Sequence, residues 1–222
     1  MTRPVVTAVL KRERDRRILT DGPWIAEPVG GANGDEPVSP VAIATSVAAH
    51  PRRSPFSLDH STMLPDFQPP VATDEHDRKL LSDVESVGWH VLKILGDDSG
   101  PEYCFSVGFY YTFGHPEILV MGLSHPVAHR LINLAAGHIA SGRVFRPRER
   151  TDDLAEGFTC SFVPVAVDYY EQYLGYGIWF YRKLQQPFPA LQLVWPDKQG
   201  RLPWESGYDE AFYELQRLLD VV

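Results

Sequence analysis

Aromatic side chains are confined to one part of this chain. Of its 26 Phe, Trp and Tyr residues, 3 precede residue 74 and 23 follow it. The first 73 residues also carry 10 of the 19 prolines. A segment of that composition buries too little apolar area to offset the entropy of ordering it. The expectation is a flexible, largely disordered Pro/Gly-rich N-terminal tail over residues 1–73. One domain is expected over 74–222, within the usual size of a single unit.

Charge divides at the same place. Residues 1–73 hold 8 Lys/Arg and 8 Asp/Glu, whereas 74–222 hold 13 and 21 and carry the whole net charge of −8. An acidic domain makes nucleic acid an unlikely partner, because phosphate contacts require clustered cations. The basic cluster is N-terminal: Lys11, Arg12, Arg14, Arg16 and Arg17, interleaved with Glu13 and Asp15. It reads either as a solvated arm or as a docking arm for an acidic partner. No apolar run reaches the ~18 residues of a membrane span, and no apolar region follows the first charges as a secretory signal would need. A cytoplasmic protein without a membrane partner is expected. Cys104 and Cys160 sit in strand-like runs and read as reduced core thiols, with a reactive thiol or a disulfide as the alternatives.

Residue periodicity outlines the domain. Leu80, Leu81, Val84 and Val87 form a helical stripe that starts near Asp74 and stops at Gly88. Trp89–Leu95, Tyr103–Tyr111 and Glu117–Leu123 read as three strands joined by short turns, an antiparallel β-meander. Ser124 or His125 caps a helix with Pro126 in its first turn. A strand is expected over Phe158–Val167, an aromatic helix over Tyr169–Leu184, a short strand over Gln192–Trp195 and a closing amphipathic helix over Tyr208–Leu219. Strands grouped first, with helices after them, give an α+β fold: an antiparallel meander sheet packed by three or four helices.

Two blocks carry a family signature. One is Val107-Gly108, then Thr112-Phe113-Gly114-His115-Pro116-Glu117, then Gly122-Leu123. The other is Leu191–Asp197, then Gly200 and Pro203-Trp204-Glu205. Over about residues 80–208 the chain resembles the family called domain of unknown function 4262. The resemblance implies a bacterial, intracellular domain and supplies no set of catalytic residues.

The histidines are the first candidates for chemistry. A straight strand after Glu117 keeps His115 and His125 at opposite ends, so they cannot share one metal. His125 and His129 are four apart on one helical face and form a possible metal pair, without the third ligand or the Glu of H-E-x-x-H. A divalent metal is therefore possible but not favoured. At the other end His115 is a candidate general base, with Glu117 to orient it. The meander brings His90 and Tyr111 toward that corner, and His138 returns there along its helix. The turn holding Trp195, Asp197, Trp204 and Glu205 has the carboxylates and indoles to hold a polar ligand. Each of these residues also has a purely structural reading: a turn, a cap, or packing.

No dinucleotide, Walker or nucleophile-elbow motif is present, so no nucleotide cofactor is implied and the cofactor is unknown. Two functions remain. The first is an accessory module binding a protein or peptide; the second is a hydrolase-like or metal-assisted enzyme centred on His115. Oligomeric state cannot be read from these residues.

Overall fold

The computed structural model describes residues 63, 64, 66–98, 100–155 and 157–220. Of the tail expected over residues 1–73, residues 1–62, with the basic cluster, lie outside the described residues. Part of that tail, within residues 63–73, instead meets the domain. Met63 N–H donates to the Tyr111 carbonyl, and Phe67 is buried among Tyr111, Phe180 and Tyr181.

Helix α1 spans Glu75–Val87. The Asp74 carboxylate accepts from the Asp77 N–H at its start, and Gly88 closes it. Its Leu80 and Val84 stripe is buried against the sheet. Strands β1 (His90–Ile94), β2 (Tyr103–Val107) and β3 (Glu117–Met121) then form the antiparallel meander. His90 pairs with Val107, and Phe105 with Leu119.

The second strand is shorter than its alternation suggests. Phe109 and Tyr111 continue the spacing of Phe105 and Val107, yet Phe109–Phe113 is a short helix, α2. Gly108 causes the turn. It has φ 118°, and a Cβ there would lie 2.6 Å from the Gly88 carbonyl oxygen. Only glycine fits that approach and that backbone. The chain therefore leaves the sheet at the position where the register with His90 ends.

After β3, helix α3 (His125–Ala140) starts behind Ser124, with Pro126 in its first turn. β4 (Arg150–Thr151) and β5 (Cys160–Pro164) follow. The aromatic helix expected over 169–184 is broken. A 3-10 turn at Val167–Tyr169 leads into α4 (Tyr170–Tyr173) and α5 (Gly175–Phe180), with Leu174 bent to φ −125° between them. β6 (Ala190–Val194) enters the middle of the sheet, parallel to β3 and antiparallel to β5. The order across the six strands is β1-β2-β3-β6-β5-β4.

The closing helix expected over 208–219 is absent apart from a 3-10 turn at Glu210–Phe212. Two glutamine amides hold this segment along the sheet instead. Gln216 accepts from Trp195 N–H and donates to the Trp195 carbonyl, while Gln192 donates to the Arg217 carbonyl and accepts from Leu219 N–H. Backbone groups satisfied by side chains have no need of the i→i−4 pattern. Gly122 admits this strap: a Cβ there would lie 2.1 Å from the Leu215 carbonyl oxygen.

Both sheet faces are covered. Leu92, Ile94, Tyr103, Phe105, Leu119 and Met121 face α1, α4 and α5. Val91, Cys104, Ile118, Val120, Leu191 and Leu193 face α3. The result is an α+β fold whose mostly antiparallel sheet lies between helices. Cys104 and Cys160 are free and buried, and burial pushes their thiols up to about 12 and about 11. Among the described residues no helix is long and apolar enough to cross a membrane.

Candidate functional site

Glu117 opens β3, two positions beyond the last β2–β3 pair, at the end of the sheet where Gly108 turns the chain. It is 1% exposed. Oε2 accepts from the Ser106 hydroxyl at 2.5 Å. Oε1 accepts from Gly108 N–H at 2.9 Å, Tyr110 N–H at 3.1 Å and the Tyr181 hydroxyl at 2.5 Å. The carboxylate thus caps the first turn of α2, which has no side-chain cap of its own from Gly108. Burial raises its pKa above the ordinary value, against the pull of all four donors. Tyr181 is raised well above its ordinary range by the same burial and by the carboxylate beside it. Tyr170 is pushed up to about 12, by burial first and then by Glu117.

His115 lies two residues away but looks the other way. Its ring meets Phe109 and Phe145 edge-on, in the core on the α3 side. Nδ1 lies 2.7 Å from the Pro116 carbonyl oxygen, and Nε2 lies 3.0 Å from Phe145 N–H. A carbonyl requires a donor and an N–H requires an acceptor, so this network assigns the neutral Nδ1–H tautomer. Burial lowers the His115 pKa, opposed by the Pro116 bond. Both ring nitrogens are engaged by backbone, and Glu117 has no bond to either. His138 meets the Phe145 ring as well, also edge-on.

His90, at the start of β1, is buried with Nδ1 2.7 Å from Asp83 Oδ2. Lys79 donates to both oxygens of the same carboxylate. Burial pushes the Asp83 carboxyl up, but the bonds from His90 and Lys79 outweigh it and hold the pKa below its ordinary value. Tyr111 joins the Glu117 network through its backbone, donating its N–H to the Tyr181 hydroxyl at 3.2 Å. The structure therefore groups Glu117 and Tyr111 with Ser106 and Tyr181, and places the His115 and His90 side chains in separate contacts.

The opposite end of the sheet holds His125 and His129. His125 Nε2 lies 2.9 Å from the Ile94 carbonyl oxygen and 3.3 Å from Glu102 Oε2. His129 lies beside Asn133, which also accepts from the Trp89 indole. Among the described residues no three His, Cys, Asp or Glu side chains converge as a metal site would require.

The Trp195–Glu205 turn is internally bonded. Asp197 accepts from the N–H groups of Gln199, Arg201 and Asp209 and from the Arg201 guanidinium at 3.0 Å. Burial raises this carboxyl, and those donors together bring it below the ordinary value. Glu205 is lowered by the Leu202 N–H and by Arg150. The Trp195 indole donates to the Met121 carbonyl. Arg148 lies 4.4 Å above the Trp204 ring and pairs with Asp220.

One concave surface lies over the Glu117 network. A groove of about 590 Å³ runs between residues 167–171 and 178–188. Tyr170, Tyr181 and Phe188 form its floor, Val167, Ile178 and Leu184 supply apolar walls, and Asp168, Glu171 and Arg182 stand at its rim. A smaller depression of about 390 Å³ shares Leu184 and Gln185 with it and is lined by Met63, Leu64 and Phe67. The groove residues were not legible as a site. They carry no motif, and Tyr170, Ile178, Tyr181 and Leu184 among them fall within the stretch expected to form one aromatic helix. Tyr181 had one faint signal, its place at the end of that aromatic run.

No curated protein and no solved structure matches this chain. A protein-family match described as Domain of unknown function (DUF4262) covers residues 83–209. That span runs from Asp83, the partner of His90, through both signature blocks and the groove to Asp209, which donates to Asp197, and the chain belongs to this family.

Proposed function

We propose that this protein is an accessory module that binds a protein or peptide partner in the groove above Tyr170, Tyr181 and Phe188. One observation carries the reading. The ionisable groups of the imidazole corner and of the Trp195–Glu205 turn are bonded to their own fold, whereas the groove offers an apolar floor with polar groups at its rim that bond no other described residue through their side chains. Sites that bind peptides by their side chains combine these two features. A general base at His115 would need a ring nitrogen free to take a proton, and both are occupied by backbone. The two free, buried thiols favour a reducing compartment such as the cytoplasm.

The test uses a displayed library of short random peptides selected on the full chain, followed by calorimetry of the winners. Val167, in the apolar wall, is 54% exposed, so Val167→Asp should remove binding and leave Tm unchanged. Selected peptides that bind this variant as well as the parent would place the partner elsewhere and overturn the reading.

A further inference from the structure

The rim of the groove is charged, and its charges are not paired with one another. Asp168 and Glu171 are exposed, stand at the N-terminal side of the groove and make no side-chain hydrogen bond or ion pair with another described residue. Arg182, across the groove, is likewise uncommitted. Two carboxylates therefore face one guanidinium. The domain as a whole is acidic, since residues 74–222 carry the chain's net charge of −8, while the exposed Lys183 beside Arg182 belongs to the neighbouring depression. The rim is mixed in sign, but its carboxylates outnumber its guanidinium, so its field favours a cation over an anion.

The walls restrict the ligand further. Val167, Ile178 and Leu184 are apolar, and the rings of Tyr170, Tyr181 and Phe188 beneath them are at most 5% exposed. The depth suits aliphatic side chains or the methylene stem of a long cation, with its charged head left at the rim. A volume of about 590 Å³ holds two or three side chains and is too small for a folded domain.

We infer that the groove takes an extended peptide segment from a partner protein, one that alternates aliphatic residues with arginine or lysine. The aliphatic side chains sit on the floor and the cations meet Asp168 and Glu171. This rests on the proposed peptide-binding reading and adds the sign of the ligand to it. The pairing is at the surface, so it contributes selectivity and salt dependence more than affinity.

The probes are three blocked pentapeptides: leucine-arginine-valine-arginine-leucine and its analogues with glutamine or glutamate at both arginine positions. Binding to the full chain is followed by fluorescence anisotropy at low and high salt. The arginine peptide should bind about tenfold tighter than the glutamine peptide at low salt, and the gap should close as salt screens it. The double variant Asp168→Asn with Glu171→Gln should abolish the preference, and Arg182→Gln should increase it. Equal binding of the glutamate and arginine peptides would overturn the cation selection while leaving a peptide groove in place. No binding by any of the three would remove both. A second chain, with Lys11, Arg12, Arg14, Arg16 and Arg17 changed to glutamine, tests the occupant. Binding gained only in that chain would keep the cation selection and overturn a separate partner, because the chain's own basic segment would then be the ligand.

Discussion

Glu117 and Asp197 are both buried, and each carboxylate accepts from four donors, yet their pKa values are shifted in opposite directions. The donors of Glu117 are two backbone N–H groups and two hydroxyls, none of them charged. Those of Asp197 are three backbone N–H groups and the Arg201 guanidinium, whose side chain is 37% exposed. Burial raises both. At the end of the sheet beneath Tyr181 the neutral donors do not overcome it, while in the outer turn the mixed set does. The number of hydrogen bonds fixes the geometry of a carboxylate; its depth and the charge of its donors fix its protonation.

The largest effect is expected at the deeper site. Glu117→Ala leaves the Ser106 and Tyr181 hydroxyls and the Gly108 and Tyr110 N–H groups without their acceptor inside the core. Unmade bonds of this kind sum to roughly 3–5 kcal/mol in urea unfolding. Glu117→Gln keeps an acceptor for the three donors at Oε1 and should lose much less. The pH dependence carries a sign. Because the folded pKa is raised, the contribution of the native carboxyl is present below the ordinary value of 4.5 and is lost as pH rises through the folded value. The gap between parent and Glu117→Gln should therefore narrow from acid toward neutral pH. A gap that widens would mean that the four donors outweigh burial.

Asp197→Asn is the counterpart, with the opposite slope. A lowered folded pKa contributes stability above the ordinary value of 3.8, lost as pH falls through the folded value. Asparagine still accepts from the Gln199 and Arg201 N–H groups through its oxygen, but it turns an amine toward the Arg201 guanidinium and the Asp209 N–H. The urea midpoint of the variant should be lower than the parent's at pH 7, and the two should converge as acid protonates the parent. Parallel pH profiles would show that the Arg201 contact contributes nothing.

The outer turn was more legible than the inner network, for physical reasons. Asp197, Gly200, Trp204 and Glu205 stand in one short string and read together, although the string does not show the Arg201 contact four positions on from Asp197. Glu117 looked like a partner for His115, because closeness in the string does not show which way each side chain turns. Two residues apart on a strand would share a face; His115 precedes the strand and its ring falls on the α3 side instead. The acceptor role of Glu117 depends on Ser106, 11 positions earlier, and on Tyr181, 64 positions later. The meander was legible because its strands are sequential and short turns force neighbours to pair. The parallel entry of β6 beside β3 was not, since that pairing joins segments separated by α3, β4, β5, α4 and α5. The false strand at Phe109–Tyr111 has a single cause: alternation continues through Gly108 while the backbone turns.

Tyr181→Phe gives the smallest expected effect and the sharpest reading of the comparison. It removes one neutral donor from Glu117 and the acceptor for Tyr111 N–H, with the ring and its contacts to Phe67, Phe180 and Phe188 retained. The cost should be about 1–2 kcal/mol. The informative readout is the Glu117 side-chain carbon followed by NMR through a pH titration. If neutral donors restrain a buried acid from rising further, its midpoint moves upward in the variant. If the midpoint stays fixed, the hydroxyl orients the ring and leaves the charge of Glu117 to Ser106 and the two backbone N–H groups. The Asp197 midpoint, at the other site, should be unchanged in the same sample, because no donor there has been altered.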